Sequence, residues 1–211
     1  MSRGAFVSFE GGEGAGKSLH IQLLAEFLAP KHEVVKLREP GGTAIGEEIR
    51  HILKRIHGEM DEMAELLLMN ASRAQLVKEV IRPSLAQGKV ILCDRFYDSS
   101  IAYQSYGRGI SLDRIYQAVS LACSGLKPDL TFFINAKPDE GLKNVGKRGQ
   151  EKKDRFDSEE LDFHERVYKG YCEIAKAEPE RVKVISYIHG EAGKMQDEIR
   201  KQTLDFLNRN L

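Results

Sequence analysis

The apolar run Phe6-Val7-Ser8-Phe9 passes through Glu10 into Gly11-Gly12-Glu13-Gly14-Ala15-Gly16-Lys17-Ser18, and Leu19 follows. Gly11 to Ser18 fit the pattern G-x-x-x-x-G-K-[S/T], with a short strand before it and a helix after it. A chain carrying this stretch has to fold around it, because the strand must deliver the turn and the helix must open near Lys17. The glycines let successive backbone N–H groups turn inward around phosphate oxygens, where a Cβ would obstruct them. The helix adds the positive end of its dipole. Lys17 can then reach the β- and γ-phosphates of a nucleotide, and the Ser18 hydroxyl can ligate Mg²⁺.

Two positions inside the loop say more than the motif does. Glu13 sets a carboxylate where a triphosphate would lie. Like charges repel, so its side chain is expected to turn toward a hydroxyl or cation on a second ligand; the alternative is a solvated loop carboxylate. Gly14 leaves the loop without an arginine for a transferring phosphoryl group, so if the chain catalyses transfer that cation must come from elsewhere in it.

At 211 residues, 41% apolar and 30% charged, the chain suits one α/β domain spanning residues 1–211. Lys and Arg number 32, as do Asp and Glu, so bulk charge suggests neither a nucleic-acid nor a membrane partner. Any positive patch must be local. Cys93, Cys123 and Cys172 are far apart and form no C-x-x-C pair, which suggests neither zinc nor disulfides and fits a reducing, cytoplasmic setting. The N-terminus runs directly into the first strand, so neither a signal peptide nor a membrane span is expected.

Along the chain, a helix with Ile21, Leu24 and Leu28 on one face should stop before Pro30. A strand near residues 34–37 runs into Arg38-Glu39-Pro40-Gly41-Gly42-Thr43, a turn at the strand's carboxyl end, where α/β sheets hold ligands. Arg38 is either a surface charge or a ligand contact. Helical spacing returns over Ile45, Ile49, Ile52, Leu53 and Ile56. A long helix is expected from about Asp61 to the segment around Gln87 and Gly88, kinked or divided by Pro83. Asn70 and Arg73 share one face of it, turned to solvent or into a cleft.

Val90-Ile91-Leu92-Cys93 reads as a buried parallel strand, and Asp94 ends it where an acidic residue helps hold Mg²⁺. Arg95 sets an anion-binding cation beside it. Ser99-Ser100-Ile101-Ala102-Tyr103-Gln104 is able to read a planar base, or merely begins a helix. A helix over residues 112–123 and a strand over 130–134 follow. Asn135-Ala136-Lys137-Pro138-Asp139 misses the guanine-reading N-K-x-D spacing by one residue, and Pro138 fits a helix start better. Residues 143–155 are basic, with Lys143, Lys147, Arg148, Lys152, Lys153 and Arg155 interrupted by Gly146 and Gly149. Such a charge run is either a solvated face or a mobile lid at about 143–156, which would close over the phosphates and supply the missing cation. Helices near 160–177 and 191–208 flank a strand near 182–185, and Phe163, Val167 and Tyr171 read as core. Five strands alternating with helices imply a five-stranded parallel sheet covered on both faces.

Taken together, Phe9 to Ser18, Arg38 to Thr43, Ser72-Arg73-Ala74-Gln75, Asp94 to Tyr97, Ser99 to Gln104 and Asp154-Arg155-Phe156 resemble the thymidylate kinases of the nucleoside-monophosphate kinase group. The resemblance covers nearly the whole chain. It implies transfer of the γ-phosphoryl group of ATP to dTMP, giving dTDP, by a homodimer. By resemblance, Glu13 meets the sugar 3′-hydroxyl, Arg73 and Arg95 bind the acceptor's phosphate and base, and Ser100 and Gln104 face thymine. Tyr103 crowds the 2′ position, and Arg148 or Arg155 is the catalytic lid cation. The chain departs from the family at Met69, where Phe or Tyr usually stacks on thymine; a thioether also packs on rings. The rival readings are another phosphate-loop kinase, of a nucleotide or small metabolite, and a nucleotide-dependent switch or binding protein.

Overall fold

Side-chain alternation along short buried strands sets the architecture. The computed structural model describes residues 3–55, 59–146, 155–156 and 159–210. Among these, β1 (Phe6–Glu10), β2 (Val34–Arg38), β3 (Val90–Asp94), β4 (Leu130–Asn135) and β5 (Val182–Ser186) form one sheet in the order β2-β3-β1-β4-β5. Every pairing is parallel. The chain runs from β1 out to β2 and β3, then crosses to β4 and β5 on the other side. The order therefore reverses at β1, and the crevice at that strand's carboxyl end is the expected ligand site. Register brings Phe9 and Arg38 both level with Asp94.

The helices are α1 (Lys17–Leu28), α2 (Ala44–Arg55), α3 (Glu62–Leu76), α4 (Arg82–Ala86), α5 (Tyr97–Ser100), α6 (Leu112–Cys123), α7 (Pro138–Gly146), α8 (Leu161–Ala177) and α9 (Ala192–Asn210). On one face Val7, Phe9, Leu92, Phe132 and Ile134 pack with Leu24, Leu28 and Ile199 of α1 and α9. On the other, Phe6, Ile91 and Phe133 pack with Leu66, Leu76, Ile115, Val167 and Tyr171 of α3, α6 and α8. Ser8 and Thr131 share a buried hydrogen bond of 2.7 Å, so these two polar positions satisfy each other.

Asp61 caps α3 by accepting from the N–H groups of Met63 and Ala64. The long helix is divided as Pro83 requires. A π-helical turn, Val77–Ile81, leads into α4, because proline has no N–H for the carbonyl four residues back. Residues 97–107 are helical throughout: α5 continues as a π-helical segment, Ile101–Gly107. Apolar spacing does not reveal this helix, because Asp98, Ser100 and Gln104 are buried polar residues. Gly107 and Gly170 let it lie close to α8, since a Cβ at Gly170 would stand 2.9 Å from the Tyr106 ring.

Candidate active site

The glycine-rich loop leaves β1 with positive φ at Gly11, Gly14 and Gly16, and Gly16 opens α1 by accepting from the N–H of His20 at 3.2 Å. Gly14 has a second reason to lack a side chain. A Cβ there would lie 2.0 Å from the Gly141 carbonyl oxygen, and one on Gly141 would lie 2.1 Å from the Glu13 carbonyl oxygen. The loop and α7 thus meet backbone to backbone, leaving no room for an arginine at position 14. Asn144 of α7 donates to the Gly14 carbonyl at 3.1 Å and to the Tyr187 hydroxyl at 3.0 Å.

Lys17 is buried, and its ammonium donates to the carbonyls of Gly11 and Gly12 at 3.0 and 2.8 Å. Burial, then the neighbouring Arg95 charge, pull its pKa down to about 8. The Ser18 hydroxyl donates to Asp94 Oδ2 at 2.7 Å. This hard-oxygen pair at the loop's mouth suits Mg²⁺, which keeps several waters and takes substrate phosphate oxygens as well. Among the described residues, no group of three or more His, Cys, Asp or Glu side chains gathers as a closed metal cage.

Arg95 has φ +70, an uncommon conformation for a residue with a Cβ. It turns the chain at the end of β3 and sends the guanidinium back over the loop. There it donates to the Gly11 carbonyl (3.0 Å), Ser99 Oγ (3.2 Å), the Tyr171 hydroxyl (2.9 Å), Glu13 Oε1 (2.7 Å) and the Tyr103 hydroxyl (3.0 Å). Tyr103 also donates to Glu13 Oε1 at 2.9 Å. Glu13 therefore turns to a cation and a hydroxyl of the protein itself. Burial alone would raise its pKa, but Arg95 and Lys17 hold it at about 2. Tyr171 has a double role that its place in the core stripe concealed. Its ring stacks on Phe133 at 5.4 Å, and its hydroxyl joins this polar network.

Beside the loop opens a cavity of ≈ 410 Å³, within the range of small-molecule sites. It is lined by residues 13–19 and by Arg38, Glu39, Pro40, Met69, Arg73, Asp94, Arg95, Ser100, Tyr103 and Gln104, among others. Its ionisable lining is six cations (Lys17, Arg38, Arg50, Lys54, Arg73, Arg95) against three carboxylates (Glu13, Glu39, Asp94). The local positive excess on a neutral chain favours an anionic ligand. Of the two readings of Arg73, the cleft holds. It is 2% exposed and donates to Glu39 Oε2, Asn70 Oδ1, Ser100 Oγ and the Phe96 carbonyl. Arg38 lines the cavity while paired with Glu47 at 2.9 Å. Phe156 lines the same cavity as Met69, and it meets the Tyr103 ring edge-on at 5.9 Å.

Arg155 pairs with Glu65, stacks 4.7 Å over Phe156 and donates to the Leu53 carbonyl at 3.3 Å. It stands against α3 rather than the phosphate loop. Arg148 and most of the expected lid lie outside the described residues. Glu10, Glu39, Glu65, Arg50, Lys54 and Tyr171 also belong to the cavity or its hydrogen-bond network, and the sequence marks only Glu10, one residue before the loop, and Glu39, after Arg38.

The family model described as thymidylate kinase matches residues 9–199. Thymidylate kinases of Desulfovibrio desulfuricans and Chlorobium luteolum are 47% and 44% identical, covering 85% and 87% of this chain and 86% and 90% of their own. That of Shouchella clausii is 41% identical over 100% of this chain and 98% of its own. A crystal structure of thymidylate kinase from Ehrlichia chaffeensis superposes with a TM-score of 0.79 at 35% identity, covering 95% of this chain and 99% of that one. With the phosphate loop, the Arg95 turn and the cationic cavity all lying inside the matched residues, the chain belongs to the thymidylate kinase family.

Proposed function

We propose that this chain transfers the γ-phosphoryl group of ATP to dTMP, giving ADP and dTDP. A 5′-phosphate oxygen of dTMP forms the new bond to phosphorus as the bond to the β-phosphate oxygen of ATP breaks. The observation that carries the reading is Arg95, which spans from the phosphate loop at Gly11 to the Glu13–Tyr103 pair on the cavity wall. One guanidinium thereby touches both the donor's loop and the acceptor's cavity.

Residues 11–18 cradle the ATP phosphates, with Lys17 neutralising charge as it spreads over the transferring group. Ser18 and Asp94 would hold Mg²⁺, which would offset charge on the β- and γ-phosphates. Arg38, Arg73 and Arg95 form the acceptor's cationic wall, and Met69, Ser100, Tyr103 and Gln104 surround its base and sugar. Glu13, held ionised, accepts a hydrogen bond from the sugar hydroxyl. Because Gly14 has no room for an arginine, the cation for the transition state is assigned to Arg148 or Arg155. Residues 1–211 are read as one kinase domain and residues 143–156 as its lid. The enzyme is read as a cytoplasmic homodimer, and among the described residues no helix is long and apolar enough to cross a membrane. In support of the dimer, the packed helices α3 and α6 leave Leu67 and Leu121 56% and 83% exposed.

A coupled assay of ADP release with ATP and Mg²⁺ across nucleoside monophosphates tests the reading. dTMP should be the best acceptor, with dUMP next, because a missing methyl costs only ~1–3 kcal/mol. AMP as the best acceptor would overturn it.

A further inference from the structure

Ser100 and Gln104, four residues apart, both line the cavity, and each is gripped from behind by a buried charge. Gln104 Nε2 donates to Glu65 Oε1 at 2.7 Å. A carboxylate accepts only, so the NH₂ end of the amide must face Glu65 and the carbonyl Oε1 is left for the cavity. Among the described residues no donor meets that oxygen. Ser100 Oγ receives a hydrogen bond from Arg73 Nη1 at 3.1 Å. A guanidinium donates only, so the Ser100 proton is left for another acceptor. The wall therefore presents a donor at Ser100 and an acceptor at Gln104.

We propose that Glu65 is a positioning residue that fixes this polarity, so that the pocket selects pyrimidines with a 4-keto group and an N3–H against 4-amino pyrimidines. The proposal rests on the dTMP reading above and gives its base preference a cause. Thymine and uracil offer an acceptor at O4 beside a donor at N3. Cytosine offers the reverse and would set donor against donor and acceptor against acceptor. Glu65 is fully buried, and its second oxygen accepts from Arg108 at 3.3 Å. Arg108 is itself paired with Glu159, so the carboxylate keeps its place facing the amide. Guanine shares the keto, N–H edge, so this polarity sorts pyrimidines from one another and not from purines.

The test is kcat/KM for dTMP, dUMP and dCMP in the wild-type chain and in Glu65→Gln. An amide at 65 presents either polarity, so Gln104 is free to flip. The dTMP-to-dCMP preference should fall about tenfold or more, the effect of one unmatched buried hydrogen bond. The dTMP-to-dUMP preference should hold, since those bases share the edge that is read. A purely structural Glu65 would weaken all three substrates alike, and unchanged or equally shifted ratios overturn the proposal. If Glu65→Gln does not fold, Glu65→Met removes the acceptor at similar length while Arg108 keeps Glu159, and the same ratios decide. A wild-type enzyme inactive on dTMP would overturn the acceptor assignment and this inference with it.

Discussion

Lys17 combines two demands that conflict outside a phosphate site. It must stay charged to meet phosphate, yet burial and Arg95 draw its pKa down to about 8. The protonated form is the one that binds, so kcat/KM for ATP should fall as pH rises through about 8, where the free enzyme loses that proton. A profile flat to pH 9 would contradict the assignment. Lys17→Ala should fold, because the ammonium touches only two loop carbonyls. It should lower kcat by at least ~10²-fold, the usual cost of removing one preorganised charge-stabilising donor. Near-normal turnover by the folded variant would exclude phosphoryl transfer at this loop.

At the scale of elements, the contact between the phosphate loop and α7 sets two effects against each other. Alanine is a better helix former than glycine by ~1 kcal/mol, so Gly141→Ala favours α7 in isolation. In place, its Cβ would stand 2.1 Å from the Glu13 carbonyl oxygen, and such overpacking costs ~1–3 kcal/mol. The collision should win, lowering Tm and raising KM for ATP as the loop shifts; a raised Tm with unchanged KM would refute it. This close approach also marks where the sequence stops being legible. The five strands and most of the helices follow from apolar spacing and turn residues, since each has one face to bury. The helix over residues 97–107 does not, because its inward side carries Asp98, Ser100 and Gln104, whose partners Arg181, Arg73 and Glu65 lie 27 or more residues away. Glycine 14 reads as a missing arginine in the sequence, and as a steric necessity only when Gly141 is beside it. Arg155 is plain as a cation, but its pairing with Glu65 depends on how α3 packs.

Over the whole molecule, the sheet's switch point gathers a buried and a partly buried carboxylate with opposed tendencies, and stability should record them. Glu10 ends β1 and accepts from the Phe96 N–H (2.7 Å), Ser99 Oγ (2.6 Å) and the Tyr171 hydroxyl (3.0 Å), tying the sheet to α5 and α8. Burial, then the Asp98 charge, raise its pKa from 4.5 to about 7. Glu13, three residues on, is lowered to about 2. A raised carboxyl binds its proton more tightly folded than unfolded. Its contribution is therefore full below about 4.5 and is lost as pH rises through about 7. A lowered one behaves oppositely, contributing fully above about 4.5 and failing as pH falls toward 2. Glu10→Gln keeps the shape and removes the titration, so it isolates the first effect. The wild-type advantage in Tm over Glu10→Gln should be larger at pH 5 than at pH 8, because only the wild type must release a buried proton between them. Thermal unfolding at both values checks this, and an advantage that is constant, or that grows with pH, would show that Glu10 is already ionised at pH 5.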